Sequence, residues 1–97
     1  MLDDIVKLIR ESLKLFDNFE HIYIFGSVLN SDKVPNDIDI LLLYSTCSAE
    51  LIKKIDEICS TLKMLSGQTI DLTVLSFEEE KQTDFLNRLN SMYIKIK

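Results

Sequence analysis

The chain has 97 residues, with 16 acidic and 11 basic side chains and a formal net charge of -5. A protein of this length buries roughly two thirds of the surface that its unfolded chain exposes, which suffices for one hydrophobic core and argues against a second domain. Binding to nucleic-acid phosphates depends on Lys and Arg, so the acidic balance argues against direct binding to duplex nucleic acid. We therefore expect one domain spanning residues 1–97.

The sequence gives no signal for export or membrane insertion. Residues 1–16 carry charges throughout, unlike the apolar core of a signal peptide, and no apolar run reaches membrane-spanning length. Cys47 and Cys59 are too few for a disulfide framework, and without a Cys-x-x-Cys pair or a histidine cluster they indicate no zinc site. We expect reduced thiols in a cytoplasmic protein.

The N-terminal part of the chain predicts a helix followed by a strand. Apolar residues recur at helical spacing from Leu2 to Phe16, with Asp3 and Asp4 at the end where negative charge is favourable. The residues from His21 to Phe25 are rich in Ile, Tyr and Phe, which favour a strand. His21, the only histidine, stands at the start of this strand, so a structural role is favoured over acid-base chemistry.

The middle of the chain predicts a strand, a helix and another strand. The segment from Asp37 to Tyr44 changes from acidic to continuously apolar, which is typical of a central strand covered on both faces. Ser48 begins a helix that Gly67 ends, and Gln68 to Leu75 alternates as a third strand. The order of elements predicts an α/β domain whose mixed sheet has three to four strands flanked by helices.

The C-terminal part predicts one more helix and leaves the last residues open between two structures. Ser76 and Glu79 fit a capping box, which begins a helix through about Leu89. Residues 92–97 alternate as a short edge strand, although their apolar positions also fit a continuation of that helix. We favour the strand.

Two aspartates at the start of the second strand mark the candidate site. Asp37 and Asp39 are two residues apart, so in an extended chain their side chains leave the same face of the sheet and repel each other. Mg²⁺ commonly takes one or two carboxylates together with substrate phosphates, and would offset this repulsion. The alternative is that both are turn residues beside Pro35 and Asn36.

Asp71 is the more informative acidic residue because it lies within the third strand, where no turn explains it. The alternation places it on the face of Thr73 and Leu75, where a charge is costly unless it is paired or bound to metal. Upstream, Gly26 and Ser27 stand where a strand passes into a short helix. Glycine allows close approach of a ligand, and the free amides and hydroxyl of such a turn suit an anion.

In order and spacing, these residues resemble the nucleotidyltransferase superfamily that includes DNA polymerase beta and kanamycin nucleotidyltransferase. The motif of that family is a hydrophobic strand, Gly-Ser, a short spacer, Asp-x-Asp, and a third carboxylate on a later strand. Here nine residues separate Gly26-Ser27 from Asp37-Ile38-Asp39, and Asp71 follows in TIDLTVL. The resemblance covers nearly the whole chain and is strongest to the single-domain minimal nucleotidyltransferases of bacteria and archaea.

The resemblance implies a reaction and a role for each candidate residue. The reaction is transfer of a nucleotidyl group from a nucleoside triphosphate such as ATP to a hydroxyl on a partner macromolecule. Among nucleotidyl groups, adenylyl is favoured. The carboxylates that would act in catalysis and hold two Mg²⁺ ions are Asp37, Asp39 and Asp71. The residues that would bind the nucleotide are Gly26, Ser27 and Lys33.

The resemblance also implies a partner, because a chain of this size lacks the second domain that binds the acceptor in larger relatives. Minimal members are commonly paired with a small all-helical protein of the HEPN type, and some act as antitoxins by adenylylating that partner. We therefore expect a small helical HEPN-like partner protein, and both a homo-oligomer and a hetero-oligomer remain open.

The chain departs from the family pattern directly after Gly-Ser. Val28-Leu29-Asn30-Ser31 stands where minimal members commonly have Arg-x-Arg-Gly, and Asn36 precedes the acidic pair in place of Ser. Lys33 is then the only nearby cation, so two cationic contacts to a triphosphate are missing. The intact set of three carboxylates favours an enzyme, whereas the missing arginines favour the alternative, a catalytically weak or inactive module that binds a helical partner or serves in assembly.

Overall fold

The computed structural model describes residues 2–29 and 37–97. The strands found there are β1 (His21–Phe25), β2 (Asp37–Tyr44), β3 (Thr69–Ser76) and β4 (Tyr93–Lys95). They form one mixed sheet in the order β3-β2-β1-β4. β1 runs antiparallel to both β2 and β4, whereas β2 and β3 are parallel and joined through a helix, as a parallel pair requires. The predicted α/β class with a mixed sheet is confirmed.

Helices cover both faces of this sheet, but unequally. On one face lie α1 (Leu2–Glu11) and α2 (Ala49–Ser66); on the other lie the shorter α3 (Phe77–Thr83) and α4 (Phe85–Arg88). The larger core lies under α1 and α2, and its fully buried members include Ile9, Ile24, Ile40 and Ile58. Burying one such side chain stabilises a fold by about 1.5–3 kcal/mol, so most of the hydrophobic stabilisation comes from this face.

β2 lies between β1 and β3, which explains its continuous apolar sequence. Ile38, Ile40 and Leu42 pack into the core under α1 and α2. Leu41 and Leu43 are buried on the opposite face, under α3 and α4. The prediction of a central strand covered on both faces is confirmed.

The helix boundaries follow the capping signals of the sequence. The Ser48 side chain accepts a hydrogen bond of 3.1 Å from the backbone N–H of Leu51 at the start of α2. Gly67 ends α2 in the left-handed conformation, with φ of 72°. At the start of α3, Glu79 N–H donates to Ser76 Oγ at 3.0 Å and Ser76 N–H donates to Glu79 Oε1 at 2.9 Å. The predicted capping box is thereby confirmed.

Two predicted helices are shorter than the apolar periodicity indicates. α1 ends at Glu11 and continues only as a 3₁₀ turn over Leu13–Phe16. The helix predicted to run through about Leu89 breaks at Asp84, which adopts φ of 54° and accepts a 2.7 Å hydrogen bond from the Asn87 side chain. A left-handed residue cannot continue an α-helix, so α4 begins anew after it.

The last residues adopt the favoured alternative. β4 is a strand at the edge of the sheet and pairs with β1. Cys47 and Cys59 are free thiols, as the sequence predicts, and Cys59 Sγ lies 3.7 Å from the backbone oxygen of Ile70. Of the helices in the described parts of the chain, none combines the length and the apolar character that crossing a membrane requires.

Candidate functional site

Four side chains form one row across the sheet, near the end where β2 and β3 begin. Asp71 lies opposite Asp39, Asp39 lies opposite Phe25, and Phe25 lies opposite Tyr93. Side chains of directly opposed residues leave the same face of a sheet. The row, which we call the acid-aromatic row, therefore consists of two carboxylates followed by two aromatic rings. Phe25 and Tyr93 pack in the smaller core, which places the row on the face of α3 and α4.

Asp37 lies beside the carboxylate half of this row. It precedes Asp39 by two residues on β2 and lies opposite Thr69 of β3. Its side chain is exposed, and its negative charge contributes to the electrostatic environment of Asp39. All three carboxylates singled out in the sequence thus lie at one end of one face.

The Asp39 carboxyl has an electrostatically unfavourable environment when it is ionised. Its pKa is raised above the ordinary value of 3.8, first by burial, then by the charge of Asp71 and a hydrogen bond with it, and last by the charge of Asp37. The ionised form of Asp39 is therefore disfavoured beside Asp71, and a bound proton or cation would offset this cost.

Gly26 brings the Gly-Ser turn against the same carboxylate. Its φ of 84° lies in the left-handed region, and a Cβ at this position would collide with Oδ2 of Asp39. Only glycine avoids both the backbone strain and the collision. Ser27 follows this glycine in a 3₁₀ turn over Gly26–Leu29 and is exposed to solvent.

Solved structures share this arrangement of strands and helices. A chain from the Shewanella oneidensis complex of a tri-AMPylated HEPN toxin with an MNT antitoxin matches at a TM-score of 0.62 and 17% identity, covering 100% of this chain and 72% of its own length. A candidate nucleotidyltransferase from Sulfolobus solfataricus matches at a TM-score of 0.55 and 25% identity, covering 98% of this chain and 78% of its own length. This chain has the minimal nucleotidyltransferase fold.

A third similar structure, a toxin-antitoxin complex with AMP-PNP, shares the minimal nucleotidyltransferase fold at a TM-score of 0.58 and 20% identity, covering 98% of this chain and 71% of its own. No protein-family model and no curated protein sequence matches the chain. The relation to nucleotidyltransferases therefore rests on the fold and on the geometry of the carboxylates.

On this minimal nucleotidyltransferase fold, the segment after Gly-Ser carries apolar residues in place of the expected arginine. Val28 is 5% exposed and belongs to the larger core, and Leu29 packs against the same core. An unpaired charge would be costly in these buried surroundings, and Val28 itself offers no cationic contact to a phosphate. Lys33, Asn30 and Ser31 lie outside the described residues.

The donor atoms present suit a hard divalent cation. Asp37, Asp39 and Asp71 present carboxylate oxygens on one face of the sheet, and Mg²⁺ takes one or two carboxylates when phosphate oxygens and water complete its shell. In residues 2–29 and 37–97, no group of three or more His, Cys, Asp or Glu side chains is arranged as a metal site.

The structure corrects one sequence argument and supports another. Asp71 is exposed on β3, one of the two edge strands of the described sheet, so the expectation that its charge is costly among apolar neighbours was wrong. His21 Nδ1 lies 3.1 Å from the backbone oxygen of Lys97, and the His21 and Phe77 rings form an edge-to-face pair with centroids 5.6 Å apart. These contacts fit the structural role favoured for this histidine.

Sequence reasoning missed the aromatic half of the acid-aromatic row. Phe25 directly precedes Gly26, and this position next to the Gly-Ser turn was a signal that it borders the site. Tyr93 gave no comparable signal, because its place depends on the pairing of β4 with β1.

Proposed function

We propose that this chain transfers an adenylyl group from ATP, or the equivalent group from another nucleoside triphosphate, to a hydroxyl of a partner protein in a Mg²⁺-dependent reaction. The observation that carries the proposal is the juxtaposition of Asp39 and Asp71 beside Gly26, with Asp37 on the same face. The minimal nucleotidyltransferase fold supports it, since a similar fold occurs in a complex whose toxin is AMPylated.

Asp37 and Asp39 are the residues that would hold Mg²⁺ in this mechanism. Bound there, the metal would neutralise phosphate charge and stabilise the charge that develops on the leaving pyrophosphate. Asp39 suits this role because burial and the neighbouring carboxylates make its ionised form unfavourable without a cation. Asp37 is exposed beside it and can contribute a further oxygen ligand.

Asp71 acts on the acceptor. It is exposed on the edge strand, so a hydroxyl from another protein can reach it. Its carboxylate accepts the hydroxyl proton while the hydroxyl oxygen forms a bond to the α-phosphorus. The bond from that phosphorus to the oxygen bridging to the β-phosphate breaks, and pyrophosphate leaves with the electron pair.

The Gly-Ser turn orients the outer phosphates. Gly26 allows the backbone to approach a ligand, and the Ser27 hydroxyl next to it is a hydrogen-bond donor at the exposed start of the turn. Lys33 would add the one cation of this segment to the same phosphates. Because Val28 faces the core, the phosphates are held mainly by the metal and by hydrogen bonds.

We further propose that the acceptor belongs to a small helical HEPN-like protein, which this chain restrains as an antitoxin. Support comes from the similar structures, one with a tri-AMPylated HEPN toxin in complex with an MNT antitoxin and one a toxin-antitoxin complex with AMP-PNP. In that arrangement the partner supplies both the hydroxyl and the surface that positions it.

A second candidate function is restraint of the same partner by binding alone. The observation that favours it is the burial of Val28, because an apolar core residue stands at a position where a cationic contact to phosphate is expected. Weak phosphate binding would leave the carboxylates without a substrate, and the chain would then act as a binding module.

The test is transfer of label from ATP carrying the isotope at its α-phosphate, using the complex of this chain with the protein that co-purifies with it. With Mg²⁺ present, we expect covalent label on the partner and a mass increase of one or more AMP groups in intact-protein mass spectrometry. With EDTA, no label should transfer. A stable complex in which no label moves in either condition would support the binding module and overturn the transferase.

A further inference from the structure

The aromatic half of the acid-aromatic row borders the proposed phosphate site directly. Phe25 lies opposite Asp39 on the neighbouring strand, and neighbouring strands are separated by about 4.7–4.9 Å. Tyr93 follows on the next strand, opposite Phe25. The backbone of Phe25, which carries the first ring, is thus one strand spacing away from the backbone of Asp39.

The rings next to the carboxylates are arranged edge to face. The centroids of Phe25 and Phe85 are 5.5 Å apart with an interplanar angle of 81°, and those of Tyr23 and Tyr93 are 5.4 Å apart at 84°. In such a pair, the edge of one ring meets the face of the other, so the rings do not stack on each other in parallel. Phe25, Phe85 and Tyr93 are also only half-buried, although they pack in the smaller core.

Half-buried aromatic residues beside a phosphate site have a specific use. Every nucleobase presents a π-face, so stacking on aromatic rings contributes affinity with little sequence preference. This contribution matters more here than in a site rich in arginine, because Val28 is buried in the core after the Gly-Ser turn. A ligand with weak cationic contacts to its phosphates depends on contacts to its other parts.

We infer that Phe25, which forms an edge-to-face pair with Phe85, provides a stacking surface, the base seat, for the planar base of the nucleotide whose phosphates lie at Asp39 and Asp71. This inference rests on the proposed function. It adds a contact to the base, which neither the carboxylates nor the Gly-Ser turn contacts. The acid-aromatic row then binds one nucleotide along its length, with the phosphates over its acidic half and the base over its aromatic half.

The test compares two ligands that differ in the base, Mg²⁺-ATP and Mg²⁺-tripolyphosphate, by isothermal titration calorimetry. The parent protein should bind ATP at least about tenfold more tightly than tripolyphosphate, which corresponds to about 1.4 kcal/mol. Phe25→Leu should weaken ATP binding about tenfold and change tripolyphosphate binding by less than about twofold. Phe25→Tyr keeps a ring and should retain the affinity of the parent for ATP.

Phe77→Leu is the matched control, since Phe77 belongs to the same aromatic core but packs against His21, away from the carboxylates. It should leave the affinity for ATP unchanged. Equal binding of ATP and tripolyphosphate by the parent would overturn the base seat while leaving the phosphate site and the proposed function intact. An equal loss for both ligands in Phe25→Leu would also overturn it. Binding of neither ligand by the parent would overturn the proposed function and the inference together.

Discussion

Asp39 and Asp71 lie directly opposite each other on the parallel strands β2 and β3, and burial together with the charge of Asp71 raises the pKa of Asp39. Two directly opposed carboxylates destabilise the fold when both are ionised, and carboxylates are also the ligands that a divalent cation prefers. Stability and the proposed chemistry therefore make opposite demands on the same pair, as is common at functional sites.

The first prediction concerns stability without metal. Asp39→Asn removes one charge of the pair and keeps the size of the side chain. In EDTA near pH 7, the variant should gain on the order of 0.5 kcal/mol in the free energy of unfolding, or about 2–4 °C in Tm. The expected gain is small because the carboxyl is only partly buried and water screens its interactions.

The pH dependence follows from the direction of the pKa shift. The folded-state pKa of Asp39 lies above its ordinary value of 3.8, so the folded protein holds this proton more tightly than the unfolded chain does. The parent is therefore penalised as the pH rises through the folded-state pKa, and the penalty is absent well below 3.8. Thermal unfolding at several pH values should show the advantage of Asp39→Asn fading in acid. Asp56→Asn, an exposed change on α2, is the control.

The second prediction is that nucleotide binding requires the metal. Without a cation, the carboxylates repel the triphosphate as well as each other, and Mg²⁺ reverses the sign of that interaction. Calorimetry with ATP should show binding in Mg²⁺ and a loss of at least about tenfold in EDTA. Equal affinity in both conditions would contradict the metal role of Asp37 and Asp39.

The third prediction separates the two glycines. Both adopt positive φ, 84° at Gly26 and 72° at Gly67, but only at Gly26 would a Cβ meet another group, the carboxylate of Asp39. Gly67→Ala should therefore cost about 1 kcal/mol from the backbone alone, whereas Gly26→Ala should cost clearly more. Chemical denaturation of both variants measures the difference.

A double variant tests whether the extra cost of Gly26→Ala comes from Asp39. Combined with Asp39→Ala, the alanine at position 26 has no carboxylate to displace, so the two changes should be less than additive by at least about 0.5 kcal/mol. Strict additivity would show that the close approach of Gly26 to Asp39 does not contribute to stability.

The fold was largely predictable because its signals are local. The periodicity of α2, the caps at Ser48 and Gly67, and the continuous apolar run of β2 each indicate one structure. The break at Asp84 was not predictable. Aspartate tolerates both helical and left-handed conformations, and the spacing of apolar residues does not indicate that Asp84 adopts a left-handed φ of 54°.

The candidate site was predictable only in part, because it combines local motifs with long-range pairing. The two-residue spacing of Asp37 and Asp39 fixes their common face, but the position of Asp71 opposite Asp39 depends on the register between β2 and β3. No sequence pattern indicates that β3 is an edge strand or that Asp71 is exposed. The parallel register is set by the whole packed sheet.

The fourth prediction concerns the turn that leads into β4. Asn90 and Ser91 both have positive φ, 52° and 65°, and Met92 N–H donates to the backbone oxygen of Leu89 at 2.9 Å across them. Glycine adopts this conformation without the penalty of about 1 kcal/mol that a Cβ brings. The greater freedom of glycine in the unfolded chain offsets part of this gain, so Ser91→Gly should raise Tm by about 2–4 °C. Ser60→Gly, within the helix α2, should lower it and serves as the control.

The last prediction separates an enzyme from a binder at Asp71. Asp71→Asn removes a proton acceptor but keeps the shape of an exposed side chain, so folding and partner binding should change little. For a transferase, the rate of label transfer from ATP to the partner should fall by about 10²–10⁴-fold, the contribution typical of a general base. Asp56→Asn removes the same charge on α2, away from the site, and should transfer label at the rate of the parent.

Partner affinity must be measured beside the transfer rate, because a loss of both would reflect a damaged complex. Under the transferase mechanism, Asp71→Asn binds the partner as the parent does and fails only in transfer. For a protein that acts by binding alone, the parent, Asp71→Asn and Asp56→Asn restrain the partner equally, and none of them moves label. Transfer by Asp71→Asn at the rate of the parent would show that Asp71 does not act as the base. The acceptor hydroxyl would then have to lose its proton to a group other than the carboxylate opposite Asp39.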